Sequence, residues 1–308
     1  GDHRDLHSFS TRRSSDLLTH LILAQNGFTG EVPSGLTTMT GLTVLQLYNN
    51  NFSGNFPDFS ATCDTLENFW IGSNGNNFTA APFPAWLNAT DCPNLTNINL
   101  SRGGFTGEFP DLSGLALEGL VISNNLFDLG PVPTWLVNKT GILYLQLSNT
   151  FRTGTLPEFA SAPTLESLQL DNNRFTGAIP ASYNTTNYPN LNNVNFFGNN
   201  LTSIDPSFAS FATSLNGTYA SVYLNALIPD DVDSAVQDYL DSVNAGWRIW
   251  QVVPPTTFSI TPLEGGTTAT ATVTPIDIIN YFNVSYLVEA STSAGGPYTV
   301  VGTGSRPP

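Results

Sequence analysis

Apolar residues return along this chain in threes. From Leu165 to Pro180 the sequence reads LESLQLDNNRFTGAIP, with Leu165, Leu168 and Leu170 at offsets 0, 3 and 5. The step of two between the last pair puts both side chains on one face of a short strand, and the residues between them face the other way. Asn173 follows where the chain must turn, and its amide can bond backbone groups that no ladder reaches. Gly177 permits a tight turn, and Pro180 fixes φ on the return path. Such a unit buries only one edge of itself, so it needs a copy on each side.

The copies are present. First apolar positions fall at Leu18, Leu42, Leu66, Leu95, Leu117, Ile142, Leu165 and Leu191, in steps of 22 to 29 residues. The second and third positions are Leu21/Leu23, Leu45/Leu47, Phe69/Ile71, Ile98/Leu100, Leu120/Ile122, Leu145/Leu147, Leu168/Leu170 and Val194/Phe196. The turn position holds Asn26, Asn50, Asn74, Asn125, Asn173 and Asn199, but Gly103 in the fourth repeat and Thr150 in the sixth. An asparagine ladder is therefore expected, interrupted at those two places. A degenerate ninth strand is read at 219–224.

Next comes a helix candidate from Pro229 to Val243, capped by Asp230 or Asp231, with Asp233 suited to the N-terminal dipole. Val232, Val236, Tyr239, Leu240 and Val243 form its apolar stripe, and Gly246 is its stop. From Pro254 the pattern becomes short, alternating Thr/Val-rich runs at 256–261, 267–273, 284–290 and 298–302. The expected architecture is mostly β with short 3-10 or α turns. A right-handed solenoid of eight to nine repeats spans 18–228, a capping helix and linker 229–253, and a small β-rich module 254–308.

The first two repeats carry tails Phe28-Thr29-Gly30-Glu31-Val32-Pro33 and Phe52-Ser53-Gly54-Asn55-Phe56-Pro57. This F-x-G-x-φ-P tail, with φ apolar, resembles the plant-type leucine-rich repeat. In that family it leads from a concave strand into a flanking strand and a convex turn. Repeats three and five are widened, with Pro84-Ala85-Trp86-Leu87 and Pro133-Thr134-Trp135-Leu136 each followed by a glycosylation sequon. That P-x-W-L variation resembles one group of plant leucine-rich-repeat receptor-like kinases, over roughly residues 18–228. Trp86 and Trp135 read as convex-side packing rather than ligand contacts. The run YLVEASTSAGGPYTVVG near the end resembles the middle strands of a fibronectin type III-like sandwich, which its length would leave truncated.

Residues 1–17, GDHRDLHSFSTRRSSDL, match with one difference the conceptual translation of a common sequencing-library adapter. A single base change explains Ser10. The segment is set aside as an artefact and expected to be disordered. Its three Arg and three Asp cancel, so the net charge of −15 belongs to the rest of the chain.

A pI near 4.2 with only 11% charged residues argues against nucleic acid or an anionic membrane surface as partner. No run of about 18 apolar residues is present. A membrane span and a cytosolic kinase would lie in a missing C-terminal part and are implied by the resemblance alone.

Cys63 and Cys92 each lie three residues before a first leucine, so they occupy equivalent positions in adjacent coils. Neighbouring strands about 4.8 Å apart are within disulfide reach; two buried free thiols are the alternative. Sequons begin at Asn51, Asn77, Asn88, Asn94, Asn99, Asn138, Asn184, Asn200, Asn216 and Asn283. With a disulfide they point to the secretory route and an extracellular or cell-surface location.

No P-loop, zinc spacing or nucleophile elbow occurs, and His20 is the only histidine outside the first 17 residues. Asp230 and Asp231 read as helix capping. No catalytic constellation, metal site or cofactor is expected.

Binding is the stronger reading. The residues between buried strand positions form two concave columns: Ile22, Gln46, Trp70, Asn99, Val121, Gln146, Gln169, Asn195, and Ala24, Tyr48, Gly72, Ser101, Ser123, Ser148, Asp171, Phe197. Ligand-contact candidates are Tyr48, Trp70, Gln46, Asn97, Tyr144, Gln146, Gln169, Asp171 and Phe197. Aromatic anchors beside neutral amides suit a peptide, protein or carbohydrate ligand. A glycan on Asn99 would block this face, so low occupancy is expected there. The reading is a fragment of a receptor ectodomain, with a possible co-receptor. Alternatives are a secreted wall protein inhibiting a foreign hydrolase, and the targeting module of an extracellular enzyme.

Overall fold

In the computed structural model, the described residues are 17–72, 75–159, 162–214 and 217–251, together with the backbone of four strands beyond them. Nine three-residue strands form one parallel sheet in chain order: His20–Ile22, Val44–Gln46, Asn68–Trp70, Asn97–Asn99, Gly119–Val121, Tyr144–Gln146, Ser167–Gln169, Asn193–Asn195 and Tyr219–Ser221. We number the coils one to nine by these strands. Each coil makes a full turn before its next strand, which is why all nine run the same way.

The register is unbroken. Leu21, Leu45, Phe69, Ile98, Leu120, Leu145, Leu168, Val194 and Ala220 pair in sequence, one per coil. From coil two onward all of these are buried, as are the flanking Leu42/Leu47 and Leu165/Leu170 pairs. Leu18, Leu21 and Leu23 pack against the core but are only partly buried.

The F-x-G tails build three short flanking sheets, ordered Thr29–Gly30/Asn51–Gly54/Asn77–Phe78, Ala81–Pro82/Phe105–Gly107/Leu126–Phe127, and Thr153–Gly154/Arg174–Ile179/Asn200–Ile204. Gly54 and Gly177 lie at φ +82° and +80°, a backbone state that a Cβ disfavours. The convex side holds 3-10 turns at Ser34–Thr38 and Pro206–Thr213 and a four-residue helix, α1, at Thr134–Val137. Trp86 packs edge-on against Phe69, and both Trp86 and Trp135 lie against the core. Cys63 and Cys92 are disulfide-bonded between coils three and four.

The asparagine ladder runs between coils. Asn50 donates to the carbonyls of Leu23 and Leu47 and accepts from Phe28 N–H. Asn173 and Asn199 repeat this pattern. In the widened third coil the rung is Asn76, which donates to the Leu47 and Ile71 carbonyls and accepts from Phe52 N–H. Two extra residues displace the turn, and Asn74 itself lies outside the described residues. Asn225 adds a rung in the ninth coil, and Gln251 closes the series by donating to Val222 and accepting from Asn225 N–H.

The capping segment differs from a single helix over 229–243. Pro229–Asp231 is one 3-10 turn, Val232 is extended, and α2 runs Ser234–Val243. Asp233 is the N-cap, accepting from Ala235 N–H, so neither Asp230 nor Asp231 caps α2. The break at Val232 turns its side chain into the core beside Val236, Tyr239 and Leu240. Asn244 rather than Gly246 ends the helix.

Beyond the cap, Thr257–Pro262 pairs antiparallel with Ala269–Thr274, and Ser285–Ala290 with Thr299–Ser305. The sequons at Asn216 and Asn283, residues 1–16, and the links needed for a sandwich lie outside the described residues.

Candidate ligand-binding face

Strand alternation builds the face. In every strand the middle residue faces the core, buried from coil two onward, and its neighbours look outward, so the paired register aligns them into columns across nine coils. The central column is Ile22, Gln46, Trp70, Asn99, Val121, Gln146, Gln169, Asn195 and Ser221. Gln46, Trp70, Gln146 and Gln169 are half-buried, and Ile22 is 60% exposed.

Aromatic pairs sit toward both ends. Tyr48 and Trp70 lie 6.0 Å apart at 55°, and Phe197 and Tyr223 lie 4.8 Å apart at 64°. Tyr223 was not among the expected contacts. Its strand lacks the leucine signature, and only the ninth-coil register places it beside Phe197.

The upstream column runs His20, Val44, Asn68, Asn97, Gly119, Tyr144, Ser167, Asn193 and Tyr219. A Cβ on Gly119 would stand 2.6 Å from Asn97 Oδ1, so Asn97 already uses that space. Tyr144 is 42% exposed and its hydroxyl donates to Glu166 at 3.0 Å. That hydrogen bond to a carboxylate, with the carboxylate's charge, raises the Tyr144 pKa above its ordinary value.

Asp171 stands apart from the other candidates. It is buried and accepts from Ser148 Oγ and Asn172 Nδ2. Its carboxylate is committed to the neighbouring coil and the adjacent turn, so it offers little to a ligand. Asn99 is half-buried in the central column, its side-chain oxygen accepting from Ser101 N–H.

Other sequons lie off this face. Asn51, Asn77 and Asn200 are exposed on flanking strands, and Asn94 and Asn138 are exposed elsewhere. Asn88 and Asn184 close convex turns, each accepting from two downstream backbone N–H groups. A groove of about 560 Å³ near Asn88, lined by Phe83, Phe109, Glu108 and Asp111, opens on the flanking and convex segments of coils three to five. Among the described residues, no group of His, Cys, Asp and Glu is arranged to hold a metal ion. No helix among them is long and apolar enough to cross a membrane.

The model of the Leucine Rich Repeat family matches residues 41–63 and 164–185. Receptor-like protein 54 of Arabidopsis thaliana is 28% identical over 168 residues, covering 54% of this chain and 20% of that protein. Pollen receptor-like kinase 2 of Arabidopsis thaliana is 35% identical over 116 residues, covering 30% of this chain and 18% of that protein. The crystal structure of a TDR receptor superposes with TM-score 0.54 at 29% identity, covering 69% of this chain and 36% of that one. The matches thus span about a fifth of these curated relatives. The fold is a leucine-rich-repeat solenoid, and the chain resembles the ectodomains of plant receptor-like proteins.

Proposed function

We propose that this leucine-rich-repeat chain is the ligand-recognition part of a plant-type cell-surface receptor, taking an extended peptide or protein segment on its concave sheet. The observation that carries the reading is the face itself: amides and hydroxyls in register, bracketed by Tyr48–Trp70 and Phe197–Tyr223. Amides can satisfy a ligand's backbone groups, and buried-edge aromatics supply anchors of low conformational entropy. The similarity to receptor-like proteins supports the same reading. A carbohydrate ligand would use the same aromatic and amide groups. A membrane span and a kinase belong to the proposal only through the relatives, and a longer transcript would decide between them and a secreted form.

The test is capture of binders from a random peptide library by the full chain. Trp70→Ala is expected to weaken captured peptides by about thirtyfold, the size of an aromatic hot spot. Trp135→Ala, on the convex side, should leave them unchanged. Captured binders indifferent to Trp70→Ala and Tyr223→Ala alike would overturn the reading.

A further inference from the structure

One row of the sheet lies just upstream of the columns described above. Backbone hydrogen bonds link Thr43, Glu67, Thr96, Glu118, Leu143, Glu166 and Asn192 from coil to coil along this rim. Glutamates therefore stand on coils three, five and seven, with uncharged residues between them. Glu67 and Glu118 are exposed, and Glu166 reaches the concave face, where it receives the Tyr144 hydroxyl. The row and the three concave columns contain no Lys or Arg among the described residues; Arg102 lies beyond the opposite edge, and Arg152 is buried.

From this we infer that the concave face selects a cationic peptide in the polyproline II conformation, with a basic residue at every third position; this rests on the face being a peptide site. The argument is one of spacing. Parallel strands about 4.8 Å apart put the glutamates about 9.6 Å apart, or about 19 Å from first to last. A polyproline II helix rises about 3.1 Å per residue with three residues per turn, so basic residues i, i+3 and i+6 span about 18.6 Å on one side. An extended strand repeats its face every two residues, about 6.6 Å, and misses the middle glutamate. An α-helix meets the row only at i, i+7 and i+14, about 21 Å, and drifts out of register.

The neighbouring chemistry fits the same ligand. Trp70 and Tyr144 stand on the outward side of coils three and six, the strands next to the glutamate row, and aromatic rings are the surfaces on which proline packs. A polyproline II backbone keeps its carbonyls unpaired, and Asn68, Gln146 and Gln169 present amide donors beside it.

The experiment compares two isomeric peptides on the full chain by fluorescence anisotropy. One is acetyl-Arg-Pro-Pro-Arg-Pro-Pro-Arg-amide; the other gathers its three arginines in the centre between paired prolines. The spaced peptide is expected to bind at least about fivefold tighter. Replacing all three glutamates (E67Q, E118Q, E166Q) should cost about tenfold or more and erase that preference, each rim pair contributing about threefold. Equal binding of the two isomers, or an unchanged triple variant, would overturn the inference. In that event library peptides that still lose affinity on Trp70→Ala leave the broader reading standing, and peptides that do not would remove both.

Discussion

Single residues hold neighbouring coils together more than they hold their own. From coil two onward each ladder asparagine satisfies two carbonyls and at least one N–H that the turn would otherwise strand, and buried groups left unpaired cost about 1–3 kcal/mol each. The Thr150 hydroxyl donates to the Leu147 carbonyl of its own coil and to Asn173 Oδ1 of coil seven but to nothing in coil five, so the backward link that an asparagine makes is lost there. Arg152 restores it: the buried guanidinium donates to Pro131 and Asp128 of coil five and lies over the Phe109 ring at 4.7 Å. Burial lowers its pKa to about 10, which still leaves it charged at neutral pH. A second regularity is the residue just before the turn position, which is left-handed at Gln25, Asn49, Arg102, Asn124, Asn149, Asn172 and Leu224. Asparagine tolerates that state and arginine less so. Arg102→Asn should therefore raise stability by about 0.5 kcal/mol and Arg102→Val lower it by about 1 kcal/mol, read from urea midpoints.

At the scale of elements, the cap carries an acid-sensitive ion pair. α2 closes the last coil through Val236, Leu240 and Tyr239, whose hydroxyl donates to the Thr218 carbonyl. Behind it, Asp241 accepts from Trp247 Nε1 and pairs with Arg248 at 2.6 Å. The Arg248 hydrogen bond is the main reason that the Asp241 pKa lies below its ordinary value, with Trp247 assisting. A depressed carboxylate pKa contributes stability that is present above the unfolded-state value, about 3.9, and lost as pH falls through the folded one. The capping segment should accordingly loosen on acidification below about pH 4, and Asp241→Asn should abolish the part of that acid dependence carried by the pair with Arg248. Amide hydrogen exchange across 219–251 is the measurement.

On the whole-molecule scale, a solenoid is a one-dimensional stack, so a perturbation is felt by neighbouring coils and fades beyond them. The Cys63–Cys92 disulfide closes the widened coil between two regular ones. Its removal by a double serine substitution should cost about 3–4 kcal/mol in the loop-entropy picture. The loss should appear as faster exchange in coils three and four, with coils seven to nine unchanged. The stacking also gives the concave face its character. No one coil holds a site, and the aromatic pairs and the glutamate row exist only because successive coils repeat in register.

The sequence by itself determined the repeat, because burial of Leu, Ile and Phe at offsets 0, 3 and 5 is a local periodic demand. It also determined which residues face the concave side, since strand alternation follows once the buried set is known. Tertiary structure alone decided the rung at Asn76, the cap at Asp233 and the burial of Asp171, each depending on how a particular coil meets its neighbour. It likewise decided the Phe197–Tyr223 pair and the alignment of Glu67, Glu118 and Glu166. Those residues lie 26 to 99 positions apart in the chain, and local pattern carries no information about register across that distance.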